Sequence, residues 1–291
     1  MRLIRSPHPI DLAGTLFPLR RGTHDPTTGI EGMQAWRAIR TPDGPAALHV
    51  RAEGPAEIRA EAWGPGAGWA LDHAPGLVGA EDDDAGFIPR HAVVGELWRR
   101  HRAVRLTRTG DVMPVLLAAI LEQKVVGVEA RRAWRLMTRA VGERAPGPNR
   151  DLLLPPDPAR LAELPYYAFH RFGIERRRAE VIRSVCSRAQ TERDDVLDQI
   201  GRIRGIGPWT VAETARLAFG DPDAVSVGDY HLPNMVAWAL AGEPRGDDRR
   251  MLDLLEPYRG HRARVQRLLE AGHVGAPAFG PRMEARAIDR L

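Results

Sequence analysis

The stretch that decides the fold runs from Asp195 to His231 and reads DVLDQIGRIRGIGPWTVAETARLAFGDPDAVSVGDYH. Apolar residues at helical spacing on both sides of Gly205-Ile206-Gly207 predict two short helices joined by a tight turn. Glycine at 205 and 207 permits positive φ and a close backbone approach, and Pro208 suits the first position of the second helix. Such a turn exposes backbone N–H groups beside a helix N-terminus, which is a suitable place for a phosphate.

The same stretch places an acidic residue after this hairpin. Asp229 stands 20 residues beyond Trp209, past a loop from Gly220 to Gly228, and precedes a helical run that begins at His231. Aspartate is a favoured helix cap. A capping role for Asp229 is therefore the simplest structural interpretation, and Asp194 or Asp195 would cap the first hairpin helix in the same way.

Taken together, these residues resemble the helix-hairpin-helix DNA glycosylase superfamily. The matching segments are Ile203–Val211 (IRGIGPWTV) and Gly228-Asp229-Tyr230, and they are most similar to the DNA-3-methyladenine glycosylase II branch. The resemblance covers about residues 102–271 and implies a mainly α protein. Its helical core would have two lobes that grip DNA in a cleft. We expect a small α+β N-terminal domain at 1–97 and the glycosylase domain at 98–291, with its hairpin at about 195–218.

The N-terminal third has the pattern of a separate α+β domain. Residues 46–52 (AALHVRA) and 57–63 (EIRAEAW) alternate in polarity and predict strands. We expect a small antiparallel sheet with one or two helices. The acidic run Glu81-Asp82-Asp83-Asp84 is interpreted as a solvated loop or a helix start. Beyond it, apolar spacing predicts a helix with a broad apolar side over 112–140 and an amphipathic helix over 176–190.

The composition excludes several classes of protein. The chain has 291 residues, of which 43% are hydrophobic and 27% charged, as in soluble globular proteins. Its only cysteine, Cys186, is interpreted as a core residue; one cysteine excludes an intrachain disulfide and a four-cysteine zinc or iron–sulfur site. No apolar run spans a bilayer and no secretory leader is apparent. We therefore expect a cytoplasmic protein that does not contact membranes.

Basic residues are concentrated in one block. Residues 99–150 carry 12 arginines and lysines against 4 acidic residues, and the isoelectric point is about 9.8. A basic block of this kind suits a polyanionic partner. Together with the resemblance, it predicts that the partner is double-stranded DNA containing modified bases, bound by a monomer.

The resemblance also implies a reaction. Glycosylases flip the target nucleotide out of the duplex and break the N-glycosidic bond through a sugar with oxocarbenium character. The carboxylate that stabilises this charge maps onto Asp229. Bifunctional relatives place a lysine one residue before the hairpin threonine, but here Trp209 precedes Thr210. We therefore expect a monofunctional glycosylase that leaves an abasic site and has no lyase activity.

The expected DNA contacts lie in two segments. In the hairpin they are Gly205, Ile206, Gly207 and Thr210. The segment LEQKV (121–125) resembles the one that fills the gap left by the flipped base. Gln123 matches the family glutamine, whereas Lys124, the only lysine among 42 basic residues, stands where the branch has an apolar wedge. Lys124 would span the gap or reach a phosphate; alternatively it is an ordinary surface lysine on a helix.

Aromatic residues are the candidates for a base pocket, since electron-poor alkylated bases stack well on aromatic faces. The candidates are Trp209, Tyr167, His170, Tyr230 and Trp238. Packing in the core explains several of them equally well, so both interpretations stay open.

No cofactor and no metal held by side chains is expected. The resemblance does imply a monovalent cation, Na⁺ or K⁺, on the backbone carbonyls of Ile203 and Ile206. Most simply, the enzyme would excise alkylated bases in repair. The alternatives are a glycosylase acting on hypermodified bases of phage DNA and a non-catalytic hairpin protein that only binds DNA.

Overall fold

A computed structural model describes residues 1–188 and 196–277 of the chain. The strands are β1 (Arg2–Arg5), β2 (Thr28–Glu31), β3 (Gln34–Thr41), β4 (Gly44–Gly54) and β5 (Glu57–Trp63). The helices are α1 (Leu12–Leu16), α2 (Ala67–Leu77), α3 (Ala92–His101), α4 (Val112–Glu122), α5 (Gly127–Val141), α6 (Pro158–Glu163), α7 (Arg176–Arg188), α8 (Val196–Gly201), α9 (Pro208–Thr214), α10 (Leu232–Ala241), α11 (Asp248–Leu255) and α12 (Arg262–Ala271).

Two predictions fall outside the described residues. The caps expected at Asp194 and Asp195, and with them the first residue of the hairpin, lie in the segment 189–195. The last two residues of the helix predicted over 176–190 lie there as well. The remainder of that helix is α7.

The N-terminal part is a five-stranded antiparallel sheet with the strand order β1-β5-β4-β3-β2. The predicted strands 46–52 and 57–63 are confirmed as parts of β4 and β5. Alternate side chains such as Ile39, Leu48 and Ile58 point to one face and are buried there. Helix α2 packs across this face.

The sheet is not an isolated unit, because its core continues into the helices. Val115 of α4 and Leu217 share one buried cluster with the sheet residues. The predicted boundary between residues 97 and 98 falls inside α3 and must be corrected. Both buried side chains of α3, Val94 and Leu97, pack in a cluster with α10, α11 and α12, so this helix is continuous with the C-terminal helices.

The helical part has two separate hydrophobic clusters. One joins α4, α5, α7 and α8 around residues such as Trp134 and Phe169. The other joins α3 to the last three helices. Cys186 is buried in the first cluster, as expected, and burial raises the pKa of its thiol to about 12. Within the described residues, no helix has both the length and the apolar character needed to cross a bilayer.

The structure corrects two local expectations. The helix expected over 112–140 is interrupted after Glu122, and α5 begins at Gly127. The acidic run at 81–84 is a loop, as expected, but only Glu81 and Asp83 are solvent-exposed in it. Only 4% of the Asp82 side chain is exposed, because its carboxylate accepts hydrogen bonds from both terminal nitrogens of Arg264 at 2.8 Å. Buried Arg105 binds Asp84 at 2.8 Å and lies 3.1 Å from Asp82.

Candidate active site

The hairpin consists of α8, α9 and the turn between them. Gly205 has a φ of +97°, and a Cβ at this position would lie 2.4 Å from the Val181 side chain, so only glycine fits. Gly207 does not have the positive φ that the sequence analysis allowed for. Its φ is −110°, which any residue adopts, and in the described part of the chain no packed neighbour approaches within 4 Å of a built Cβ. Packing therefore fixes Gly205, whereas Gly207 faces open space.

Gln123 connects the hairpin to the end of α4. Its amide nitrogen donates to the Gly205 carbonyl at 3.1 Å and to the Thr210 hydroxyl at 2.9 Å. Thr210 is only 1% exposed, so its side chain is not available to DNA, and the predicted contact could be made only through its backbone. The side chain of Ile206 is likewise buried in the core, which leaves only its backbone available to DNA.

Lys124 lies in the turn between α4 and α5, not on a helix. It is exposed, and its φ of 53° is a left-handed conformation that side chains other than glycine rarely adopt. This conformation costs a non-glycine residue about 1 kcal/mol. Strain of this kind persists where the surrounding structure determines the backbone, which is common at functional sites.

The three residues before Lys124 are each held by a different part of the molecule. Arg178 of α7 donates to the Leu121 carbonyl at 2.8 Å. Arg21, from the N-terminal part, donates to the Glu122 carboxylate at 3.2 Å. Gln123 binds the hairpin as described. These contacts fix the turn that presents Lys124.

Asp229 is held by three N–H donors. Its Oδ1 accepts from the backbone of His231 and Leu232, each at 2.7 Å, so it does cap the N-terminus of α10. Its Oδ2 accepts from the indole nitrogen of Trp209 at 3.0 Å. The carboxylate is only partly buried. Trp209, which lies just after the hairpin turn, thus orients Asp229, which lies at the end of the following loop.

The loop that carries Asp229 is anchored from several sides. The hydroxyl of Ser226 donates to Glu213 of α9 and accepts from Gln266 of α12 at 3.3 Å. The Gly228 amide donates to Asp248 of α11 at 3.0 Å. Asp223 accepts two guanidinium hydrogen bonds from Arg262, at 2.8 and 2.6 Å. Sequence patterns gave no indication of these anchors, because every partner is distant in the chain.

A buried ion network supports the same loop. Arg216 donates to Glu213 at 2.8 Å and to both oxygens of Glu270 at 3.2 Å. Burial alone would lower the pKa of Arg216, but the two carboxylates outweigh it and raise that pKa. The guanidinium stays charged, and the network holds α9 against α12.

Glu122 is a second carboxylate of this region, and the sequence analysis did not select it. Its side chain is 32% exposed. Burial raises its pKa; the Arg21 charge opposes this, and the charges of Glu213 and Asp229 act in the same direction as burial. Asp229 is therefore within electrostatic reach. Its position beside Gln123 in the segment 121–125 was the only available signal.

In the described residues, no stacked pair forms among the five candidate aromatic residues. Tyr167 and His170 pack edge-on against Tyr166, both at 5.8 Å, in a 3₁₀ segment against α5 and α7. Tyr230 is 77% exposed and Trp238, near the end of α10, is 39% exposed. Of the five, Trp209 is the one whose side chain hydrogen-bonds to Asp229 in the described part of the molecule.

Metal binding by side chains has no support in residues 1–188 and 196–277, where no three His, Cys, Asp or Glu residues converge as ligands. The Ile203 carbonyl accepts the Ile206 amide at 2.9 Å. A carbonyl oxygen has a second lone pair, so this contact still permits Ile203 to hold a cation.

The chain matches no protein-family model and no curated protein by sequence. Its fold, however, is similar to solved structures. A 3-methyladenine DNA glycosylase from Archaeoglobus fulgidus superimposes with a TM-score of 0.76 at 15% identity, over 92% of this chain and 97% of that one. An 8-oxoguanine glycosylase/lyase from Clostridium acetobutylicum superimposes with a TM-score of 0.70 at 11% identity, over 92% and 95% of the two chains.

A third similar structure contains DNA. The 3-methyladenine DNA glycosylase of Schizosaccharomyces pombe, solved with abasic DNA, gives a TM-score of 0.50 at 14% identity over 67% of this chain and 96% of that one. The chain has the fold of the helix-hairpin-helix DNA glycosylases.

Proposed function

We propose that the protein is a monofunctional DNA glycosylase that flips a modified base out of duplex DNA and hydrolyses its N-glycosidic bond. The observation that carries this proposal is the 3.0 Å hydrogen bond between Trp209 and Asp229. It joins the helix after the hairpin turn to a carboxylate that remains partly accessible. The two hydrophobic clusters of the helical part support a two-lobed enzyme with this pair between them.

Asp229 would supply the charge stabilisation that the reaction requires. As the base departs, positive charge develops on the sugar, and a fixed carboxylate is most effective when it needs no reorganisation during the reaction. The two backbone amides of α10 and the Trp209 indole keep Asp229 in one orientation without neutralising it. A water molecule then adds to the sugar carbon, which leaves an abasic site.

The absence of a lyase step follows from the residue at position 209. An indole has no lone pair that could attack the sugar, whereas a lysine amine forms a Schiff base and leads to strand cleavage. One structural relative is named as a lyase, so the shared fold is compatible with either chemistry. Trp209 is the feature that favours simple hydrolysis.

DNA would bind along the face that carries the hairpin and the turn of Lys124. Gly207 leaves space there for a phosphate next to the N-terminus of α9, and the carbonyls of Ile203 and Ile206 would hold a Na⁺ or K⁺ that adds positive charge. Lys124 would enter or bridge the gap left by the flipped base. Alkylated bases are the substrates that we favour, because two of the similar structures are 3-methyladenine glycosylases.

Duplex DNA with a single 7-methylguanine tests the proposal. The wild-type protein should produce strand breaks only after hot alkali, and borohydride should trap no covalent adduct. The Asp229→Asn variant should bind the duplex but release no base. Alkali-independent breaks would contradict the monofunctional reaction. Equal base release by Asp229→Asn would contradict the catalytic role of Asp229 and leave DNA binding as the function.

Parallel reactions on hypermodified phage DNA distinguish repair from defence. If abasic sites form there and not in alkylated duplex, the substrate proposal is wrong although the chemistry is right.

A further inference from the structure

We propose that Ser226 and Glu213 are positioning residues for the reaction, because their hydrogen bond fixes the turn that carries Asp229 against the helix that follows the hairpin. This role rests on the proposed glycosylase function. The evidence is the hydrogen bonding of the turn, the spacing of its contacts along α9 and the burial of the Ser226 hydroxyl.

A tight turn connects Ser226 to Asp229. The Asp229 amide donates to the Ser226 carbonyl at 3.2 Å, and Gly228, the third residue of the turn, has a φ of +90°. A positive φ at this position is typical of a type II β-turn and favours glycine. Because the two residues are the ends of one turn, the position of Ser226 sets that of the Asp229 backbone.

Helix α9 holds both ends of this turn. Trp209 and Glu213 are four residues apart in this helix, so their side chains lie on the same face, one helical turn from each other. The Trp209 indole donates to the Asp229 carboxylate at 3.0 Å, and the Ser226 hydroxyl donates to the Glu213 carboxylate. The turn is therefore held at two points against the helix that begins at the hairpin.

These two contacts differ in kind from the capping contacts of α10. The backbone amides of His231 and Leu232 that bind Asp229 are two and three residues further along the chain. They orient the carboxylate relative to its own helix, and they move with that helix. Contacts with a different element are needed to fix the carboxylate relative to the hairpin, and Trp209 and Ser226 supply two of them.

The Ser226 hydroxyl is completely buried, and it also accepts a hydrogen bond from Gln266 of α12 at 3.3 Å. Both partners have further contacts, since Glu213 accepts from Arg216 at 2.8 Å and Gln266 donates to Glu270 at 2.9 Å. Removing the hydroxyl therefore leaves each partner with another hydrogen bond. The ion network stays in place, and the effect of the change falls on the turn.

The reaction is sensitive to the placement of the carboxylate. Positive charge on the sugar is stabilised best by a group that is already in position, and a misplacement of about 1 Å can lower a rate about 10²-fold. A residue that positions Asp229 acts on the rate of the chemical step, whereas the affinity for DNA depends on the surface that contacts the duplex. Loss of Ser226 should therefore slow base release without weakening binding.

The test compares single-turnover release of 7-methylguanine with the affinity for the same duplex. In Ser226→Ala the rate per folded molecule should fall about ten- to a hundredfold, while the dissociation constant stays within about twofold of the wild type. Thr41→Val is the matched control, because it removes another buried hydroxyl, which donates to the Gly44 carbonyl at 2.7 Å in the hairpin between β3 and β4. The control should change neither quantity.

Two variants of Glu213 test the same contact from its other side. Glu213→Ala removes the acceptor of the Ser226 hydroxyl and should lower the rate to a similar extent. Glu213→Gln keeps an acceptor oxygen at this place and should recover most of the rate, although it removes the charge next to Arg216. A contribution through the ion network alone would make the two variants equally slow, and that result would overturn the proposal.

The outcomes separate the two proposals. If the wild type releases no base, the glycosylase function fails and this role fails with it. If the wild type releases base, two results for Ser226→Ala overturn only the positioning role. One is a rate within about twofold of the wild type, and the other is a loss of affinity for the duplex as large as the loss of rate.

Discussion

Two loops of this protein hold their carboxylates with different kinds of hydrogen-bond donor. The loop before α10 holds Asp229 with two backbone amides and one indole N–H. The loop at 81–84 holds Asp82 with Arg264 and Arg105. Neutral donors orient a carboxylate and leave its negative charge available, whereas guanidinium groups neutralise it. In the sequence both loops look alike, and the type of partner separates a candidate catalytic group from a structural one.

The comparison predicts that a substitution at Asp82 lowers the free energy of unfolding, whereas a substitution at Asp229 lowers the rate of base release. Asp82→Asn should lower the free energy of unfolding by roughly 3–5 kcal/mol, because it leaves two buried arginines without their shared partner. Denaturant unfolding measures this. Base release per folded molecule should be unchanged. A loss below about 1 kcal/mol would show that the buried cluster contributes little.

Asp229→Asn should give the opposite result. Asparagine caps helices about as well as aspartate, so the free energy of unfolding should change little. The rate of base release should fall by at least about 10²-fold, the usual cost of removing a preorganised electrostatic group. If unfolding experiments instead show a large destabilisation, Asp229 would belong with Asp82 among the structural carboxylates.

A third carboxylate sharpens the contrast because its Oδ2 is buried without a hydrogen bond from either kind of donor in the described chain, although the charges of Arg37 and Arg40 act on it. Asp111 stands at the cap position of α4 without capping it, and within the described chain its Oδ2 accepts no hydrogen bond. Burial raises its pKa to about 7. The folded protein thus keeps a proton that the unfolded chain releases near its ordinary pKa of about 4, so this carboxyl favours folding less as the pH rises from 4 to 7.

Asp111→Asn should remove that dependence. Relative to the wild type, its free energy of unfolding should rise by roughly 2–4 kcal/mol between pH 4 and pH 8. Urea unfolding at several pH values measures the difference. A constant difference across this range would mean that Asp111 is ionised in the folded protein.

The hydrogen bond from Trp209 should have a smaller effect, confined to the reaction. Trp209→Phe keeps an aromatic ring but removes the N–H that orients Asp229. A hydrogen bond to a charged group contributes about 1.5–3 kcal/mol, so the single-turnover rate should fall roughly tenfold or more. Adding the change to Asp229→Asn should cause no further loss; additive effects would show that the two residues act independently.

The smallest effect should appear at the strained turn. Lys124→Gly relieves the left-handed backbone and should stabilise the protein by roughly 0.5–1 kcal/mol, while weakening its affinity for a lesion duplex. Lys124→Ala should weaken the affinity without gaining stability. Unchanged affinity in both variants would contradict a DNA contact at this position.

Local patterns were sufficient to predict the parts of the fold whose causes are local. The hairpin follows from Gly205 and Pro208, and β4 and β5 follow from alternating polarity. The candidate carboxylate, Asp229, came instead from the resemblance to the glycosylase family, and the structure shows it accepting a hydrogen bond from Trp209.

The remaining features depend on partners far along the chain. The interruption between α4 and α5 has no proline, and its first glycine, Gly127, already belongs to α5; contacts from Arg178, Arg21 and the hairpin hold this turn. The burial of Asp82 depends on Arg264, 182 residues away. Glu122 resembles any other acidic residue at a helix end until folding brings Asp229 near. No periodicity encodes these distances.

The solitary ε-amine at residue 124 has a practical consequence. Amine-directed dyes should attach only there and at the chain's α-amino group. The one thiol, at Cys186, is buried and should not react with maleimides. An unmodified sequence therefore carries its own attachment point for a fluorophore on the face proposed to meet the double helix, where quenching or a change in emission would report docking in real time.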